Sequence, residues 1–84
     1  MIQAFKDENE FIKFAAAELM TAPMQVTAET LFRSLQTWSS LNALIFVSRI
    51  HEEAGVLISS EDLAQMKTFG DVYQLIISKE NGAV

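Results

Sequence analysis

Apolar residues in this chain recur at intervals of three and four more often than at intervals of two, and only three glycines and one proline interrupt its 84 residues. Helices bury a stripe of that period, whereas strands alternate from one face to the other. With so few obligatory turns, the expected class is all-α: three main helices plus a short fourth, bundled with a long loop between the first two. The length bounds this to one small domain over residues 1–84, with an ordered core over about 7–78.

The individual segments can be placed from their stripes and their end signals. Phe11, Phe14, Ala15 and Leu19, flanked by Ile12 and Ala16, form one face behind Asp7, Glu8 and Glu10, acids that favour a helix N-terminus. The first helix is therefore predicted over about Asp7 to Met20. From Thr21 to Ser39 the pattern loosens around Pro23 and four threonines, which predicts a long ordered loop with a turn of helix near Ala28 to Leu31. A connection of that length is commonly functional when it is ordered.

Ser39 or Ser40 is a good N-cap for a second helix that continues through LNALIFVSRIHEEA to a glycine stop at Gly55. Apolar residues nearly encircle it, so it is expected to be the most buried helix. Ser59 or Ser60 caps a short segment, SEDLAQM, with Glu61 and Asp62 at its positive end. Thr68 and Asp71 form a capping box for a last helix with Phe69, Val72, Leu75 and Ile76 inward, and the tail beyond Ser78 is expected to fray. The predicted core is Phe11, Phe14, Leu19, Phe32, Leu35, Leu41, Leu44, Ile50, Ile58, Leu63, Val72 and Ile76.

Charge and composition remove several classes of function. Six basic residues against eleven acidic ones give a net charge of −5, which disfavours nucleic acids and anionic lipid because phosphate binding needs a basic stripe. The absence of cysteine removes disulfides, thiolate metal sites and a cysteine nucleophile. The opening MIQAFKDENE lacks the pattern of a signal peptide, and the longest apolar run, Ala43 to Val47, is too short to span a bilayer. These features predict a cytoplasmic chain, monomeric and not inserted in a membrane.

No enzyme signature emerges. His51, the single histidine, lies eleven positions from Ser40, about 16 Å along one helix, so the two cannot form a nucleophilic dyad. The adjacent acids Glu52-Glu53 and Glu61-Asp62 diverge by about 100° on a helix and read as solvated faces. Metal-ligand spacings, phosphate loops and dinucleotide motifs are absent. Trp38 reads as a packing anchor. The remaining candidate is the hydroxyl pair Ser39-Ser40 at the start of the most hydrophobic helix. There the positive end of the helix dipole would stabilise a phosphate ester by about 0.3–1 kcal/mol.

Taken in order, these pieces resemble the acyl carrier protein family, in particular single-domain members with a Trp-Asp-Ser-Leu-Asn type of motif. The resemblance runs from about Glu10 to Ile77. It comprises Glu18-Leu19, the pattern Thr-Ala-Glu-Thr-Leu-Phe-x-x-Leu over Thr27 to Leu35, Trp38-Ser39-Ser40-Leu41 and Glu52-Glu53-Ala54-Gly55-Val56. Ile58-Ser59-Ser60-Glu61-Asp62-Leu63 and Thr68-Phe69-Gly70-Asp71-Val72 follow at the family's spacing. It implies that Ser40 receives 4′-phosphopantetheine and that the arm's thiol holds acyl groups as thioesters, in fatty-acid, polyketide or related biosynthesis. The protein would then be a shuttle and not a catalyst. The implied partners are a phosphopantetheinyl transferase and acyl-processing enzymes, met through Leu41, Ile45, Glu52 and Glu53, with a cavity between helices for the acyl chain.

The chain departs from the family pattern in two respects. Ser39 stands where the family has an acid before the acceptor, keeping a helix cap but not its charge. Asn42, Ile45, Ser48 and Arg49 occupy second-helix positions that are typically acidic, leaving Glu52 and Glu53. Docking is accordingly expected to be less electrostatic, with Ile45 as an apolar contact. The alternative is a carrier-like protein-interaction domain without a prosthetic group. A small hydrolase or metal-dependent enzyme is a more remote class.

Overall fold

Short polar side chains set the start of each main helix in the computed structural model, which describes residues 5–80. Helix α1 spans Glu8–Glu18, α2 Ser40–Ala54, α3 Ser60–Gln65 and α4 Phe69–Glu80, with single turns of 3-10 helix at Pro23–Gln25 and Phe32–Ser34. The Asp7 carboxylate accepts from the Glu10 backbone N–H at 3.0 Å, and Ser39 does the same for Asn42 at 3.1 Å. Two reciprocal capping boxes follow, Ser59 with Asp62 and Thr68 with Asp71. Each satisfies N–H groups that a helix start leaves without an intrahelical partner.

The helix ends are equally legible. Gly55 closes α2 in the left-handed region at φ 69°, its N–H bonded to the His51 carbonyl at 2.9 Å. Helix α1 ends in a Schellman arrangement, with Thr21 N–H on Ala16 at 2.8 Å and Met20 N–H on Ala17 at 3.2 Å. The left-handed position there is taken by Met20, at φ 56°, where glycine is the usual residue. Helix α4 continues to Glu80, two residues past the predicted fraying point, and residues 81–84 of the expected tail lie outside the described residues.

Helix α1 packs against both α2 and α4. The core is built around aromatic rings. Phe46, fully buried on α2, stands 6.3 Å from Phe11, 6.4 Å from Phe14, 6.4 Å from Trp38 and 6.1 Å from Phe69, centroid to centroid. Phe32 joins the cluster at 4.8 Å from Trp38 and 5.8 Å from Phe69. Trp38 thus serves as the packing anchor its sequence position indicated.

Three expectations are corrected. Helix α2 is not the most buried; only Phe46 and Ile50 are buried on it, against Phe11, Ile12, Ala15 and Ala16 on α1. Leu41 and Leu44 are not core residues but are 65% and 62% exposed, because the face turned inward is the one carrying Phe46 and Ile50. The helical turn placed near Ala28 to Leu31 is instead a hydrogen-bonded turn at Thr27–Thr30 followed by the 3-10 turn at Phe32–Ser34. The Thr30 hydroxyl accepts from the Thr27 N–H at 2.9 Å, a bond that competes with helix. The rest of the predicted core is buried or packed against it.

The long connection between α1 and α2 is ordered by pairing with the start of α4. Leu31 forms an isolated antiparallel bridge with Thr68, and the described residues contain no strand. Phe32 N–H donates to Lys67 at 3.2 Å and Gly70 N–H to Ala28 at 2.8 Å. Arg33 adds a clamp, donating to the Met66 and Leu63 carbonyls at 2.6 and 2.5 Å, where the end of α3 concentrates negative charge.

Candidate functional site

The ordered connection delivers the chain to the start of α2 with Thr37 and Asn42 in contact, the Asn42 side-chain amide donating to the Thr37 carbonyl at 2.6 Å. Ser39, in extended backbone, is the N-cap, and Ser40 is the first helical residue. The two serines therefore have different tasks. Ser39 is committed to the Asn42 N–H, whereas Ser40 is exposed and its hydroxyl makes no hydrogen bond among the described residues. The backbone N–H groups of Ser40 and Leu41 likewise meet no acceptor there.

Beside Ser40 lies a cleft of about 370 Å³ between α2 and α3. One wall is Ser40, Ala43, Leu44 and Val47, a helical stripe descending from the hydroxyl; the other is Ile58, Ser59, Ser60 and Leu63. No charged side chain lines it. The arrangement offers a nucleophilic or esterifiable oxygen at the rim of an apolar trough, with unpaired N–H donors beside it.

The other expected site residues divide into two groups. Leu41 and Ile45, the latter 42% exposed, lie on the outward face of α2 within reach of Ser40 along the helix. Glu52 and Glu53 lie in the last turn, about 18 Å away at the helical rise, and are not brought to Ser40. Both are tied up by Arg49, which pairs with Glu52, with Glu53 at 3.6 Å and with Glu18 of α1 at 3.2 Å. Glu52, followed by Glu18, holds the Arg49 guanidinium above its ordinary value.

Sequence reasoning missed Leu44 and Val47 as cleft residues and Arg49 as the counterion of the α2 acids. The spacing carried both signals: Leu44 and Val47 follow Ser40 at i+4 and i+7, and Arg49 precedes Glu52 and Glu53 at i+3 and i+4. Among the described residues, no group of three or more His, Asp or Glu side chains could hold a metal ion. No helix among them is long and apolar enough to cross a membrane.

No protein-family model matches the chain, and no curated protein matches it significantly.

Proposed function

We propose that this chain is an acyl carrier protein in which Ser40 bears 4′-phosphopantetheine and the arm delivers thioester-bound acyl groups to acyl-processing enzymes in the cytoplasm. The observation that carries the reading is the pairing of an exposed, uncommitted Ser40 hydroxyl at the start of α2 with an uncharged cleft at its side. The residues fit the group. The Ser40 and Leu41 N–H groups and the helix dipole suit a phosphodiester, and Leu44, Val47, Ile58 and Leu63 suit an apolar tail. When attached, the arm supplies the thiol that this cysteine-free chain lacks. The chain's own contribution is to present the hydroxyl, shelter the cargo and act as a monomeric address for a phosphopantetheinyl transferase and later partners. Tethering then raises the local concentration of substrate at each of them.

A second reading, an interaction domain with no prosthetic group, is favoured by one observation: the residue before Ser40 is the neutral cap Ser39 and not an acid.

Intact-mass measurement separates the two after incubation with coenzyme A, magnesium and a broad-specificity phosphopantetheinyl transferase. The expected result is a gain of one phosphopantetheine, lost in Ser40→Ala and retained in Ser39→Ala. No gain assigns the interaction domain. A gain lost only in Ser39→Ala moves the acceptor by one residue.

A further inference from the structure

The ordered connection between α1 and α2, together with the end of α1, forms a second cleft of about 380 Å³. Thr21, Gln25, Gln36 and Thr37 supply hydroxyls and amides there, Leu35 adds an apolar patch, and no charged side chain lines it. Its polar groups are largely uncommitted. The Gln25 and Gln36 side-chain amides make no hydrogen bond among the described residues, and the backbone N–H groups of Gln36 and Thr37 meet no acceptor there. The half-buried Thr21 and Thr37 hydroxyls lie 3.4 Å apart, longer than an ordinary hydroxyl–hydroxyl hydrogen bond.

Thr37 ties this cleft to the start of α2. It precedes Ser40 by three residues, so the two Cα atoms lie within about 11 Å, and the Asn42 amide on its carbonyl fixes it to the first turn of the helix. The cleft beside Ser40 has a different chemistry. Leu44, Val47, Ile58 and Leu63 offer an amide no partner, and the Ser59 hydroxyl on its wall already accepts the Asp62 N–H. An amide buried against them loses its water without replacement.

We propose that the cleft of Thr21, Gln25, Gln36 and Thr37 is the resting seat of the unloaded phosphopantetheine arm, and that a long acyl chain empties it by drawing the arm to the apolar cleft beside Ser40. The inference rests on the carrier reading above. Beyond its phosphate the arm is a neutral chain of amides with a hydroxyl and a geminal dimethyl carbon. The amides and hydroxyl match the free groups of Gln25, Gln36 and Thr37, and the dimethyl carbon matches Leu35. An anion finds no cation in this cleft, and a purely apolar tail would leave its amides unpaired. The polar contacts of the seat are fixed in number, whereas each acyl methylene buried in the other cleft favours departure by up to about fourfold. A short acyl group therefore leaves the seat occupied and a long one vacates it.

The test uses the full-length, isotope-labelled chain, compared by NMR as the apo form and after loading by a broad-specificity phosphopantetheinyl transferase with coenzyme A, acetyl-coenzyme A or octanoyl-coenzyme A. In the unloaded holo form, nuclear Overhauser contacts are expected from the arm's geminal methyls to Thr21 and Gln25, which are far from Ser40 in the chain. The acetyl form should keep them. In the octanoyl form they should disappear, with new contacts at Leu44, Val47 and Ile58. Replacing both exposed glutamines, Gln25→Ala with Gln36→Ala, should weaken the holo contacts to Thr21 by about fivefold or more.

Contacts confined to residues adjoining Ser40, or contacts to Leu44 and Val47 already present without an acyl chain, overturn the seat. Contacts to Thr21 that persist in the octanoyl form overturn the exchange, and contacts unchanged in the double variant overturn the polar match. A mass gain without contacts to Thr21 fails the seat alone. No mass gain from any of the three coenzyme A forms fails the carrier reading itself.

Discussion

The Ser39 hydroxyl accepts the backbone N–H of Asn42 at 3.1 Å, and this one bond separates the roles of two adjacent, exposed serines. Ser39→Ala removes the cap of α2 and is expected to cost about 0.5–2 kcal/mol. Ser40→Ala, at the first helical position, should change stability by less than about 0.5 kcal/mol. Urea denaturation of the two variants checks the contrast. Equal losses would mean that Ser40 is also structural.

The centre of the aromatic cluster and the rim of the cleft lie two residues apart on α2. Phe46→Ala opens a cavity among Phe11, Phe14, Trp38 and Phe69 and is expected to cost about 3–5 kcal/mol. Leu44→Ala, at a position 62% exposed, should stay within about 0.5 kcal/mol of wild type. Thermal melts of both variants decide whether the inward face of α2 is the one described.

Met20 sits in the left-handed region at φ 56° with its side chain 72% exposed. A residue with a Cβ is strained there by about 1–2 kcal/mol, partly offset by the entropy that glycine adds to the unfolded chain. Met20→Gly is therefore expected to stabilise the protein by about 0.5–1 kcal/mol, read as a higher urea midpoint with an unchanged slope. A lower midpoint would contradict the Schellman ending of α1.

The two capping boxes make stability sensitive to acid. Backbone N–H donors from Lys67 and Thr68 hold the Asp71 carboxyl below its ordinary value. The Ser59 N–H, aided by the Ser59 hydroxyl and Lys79, does the same for Asp62. A depressed folded pKa gives stability that is complete above the unfolded value and lost as pH falls through the folded one. The urea midpoint should accordingly hold near neutrality and drop below about pH 4. Asp71→Asn should lower the midpoint at neutral pH and flatten the acid decline. An unchanged acid decline would show that the Asp71 box contributes nothing to it.

Much of the fold is legible in local chemistry. Asp7, Ser39, Ser59 and the Thr68–Asp71 pair mark helix starts because a short polar side chain at a cap satisfies N–H groups of its own first turn, and Gly55 marks an end because its backbone adopts φ 69° without strain. Such interactions span three or four residues and need no tertiary context. The position of Ser40 at the head of α2 belongs to the same class.

The sequence by itself determined the all-helical class, the order and nearly all the limits of the helices, and the place of the serine pair. Only the tertiary structure decided which side of α2 faces inward, and hence that Leu41 and Leu44 are exposed, with Leu44 on the wall of a cleft, while Phe46 fills the core. Apolar residues lie on both the buried and the exposed sides of α2, Phe46 and Ile50 against Leu41, Leu44 and Ile45, so apolar spacing alone does not select the inward side. The rotation of α2 is set by the rings that α1, the long connection and α4 bring against it, contacts between residues far apart in the chain.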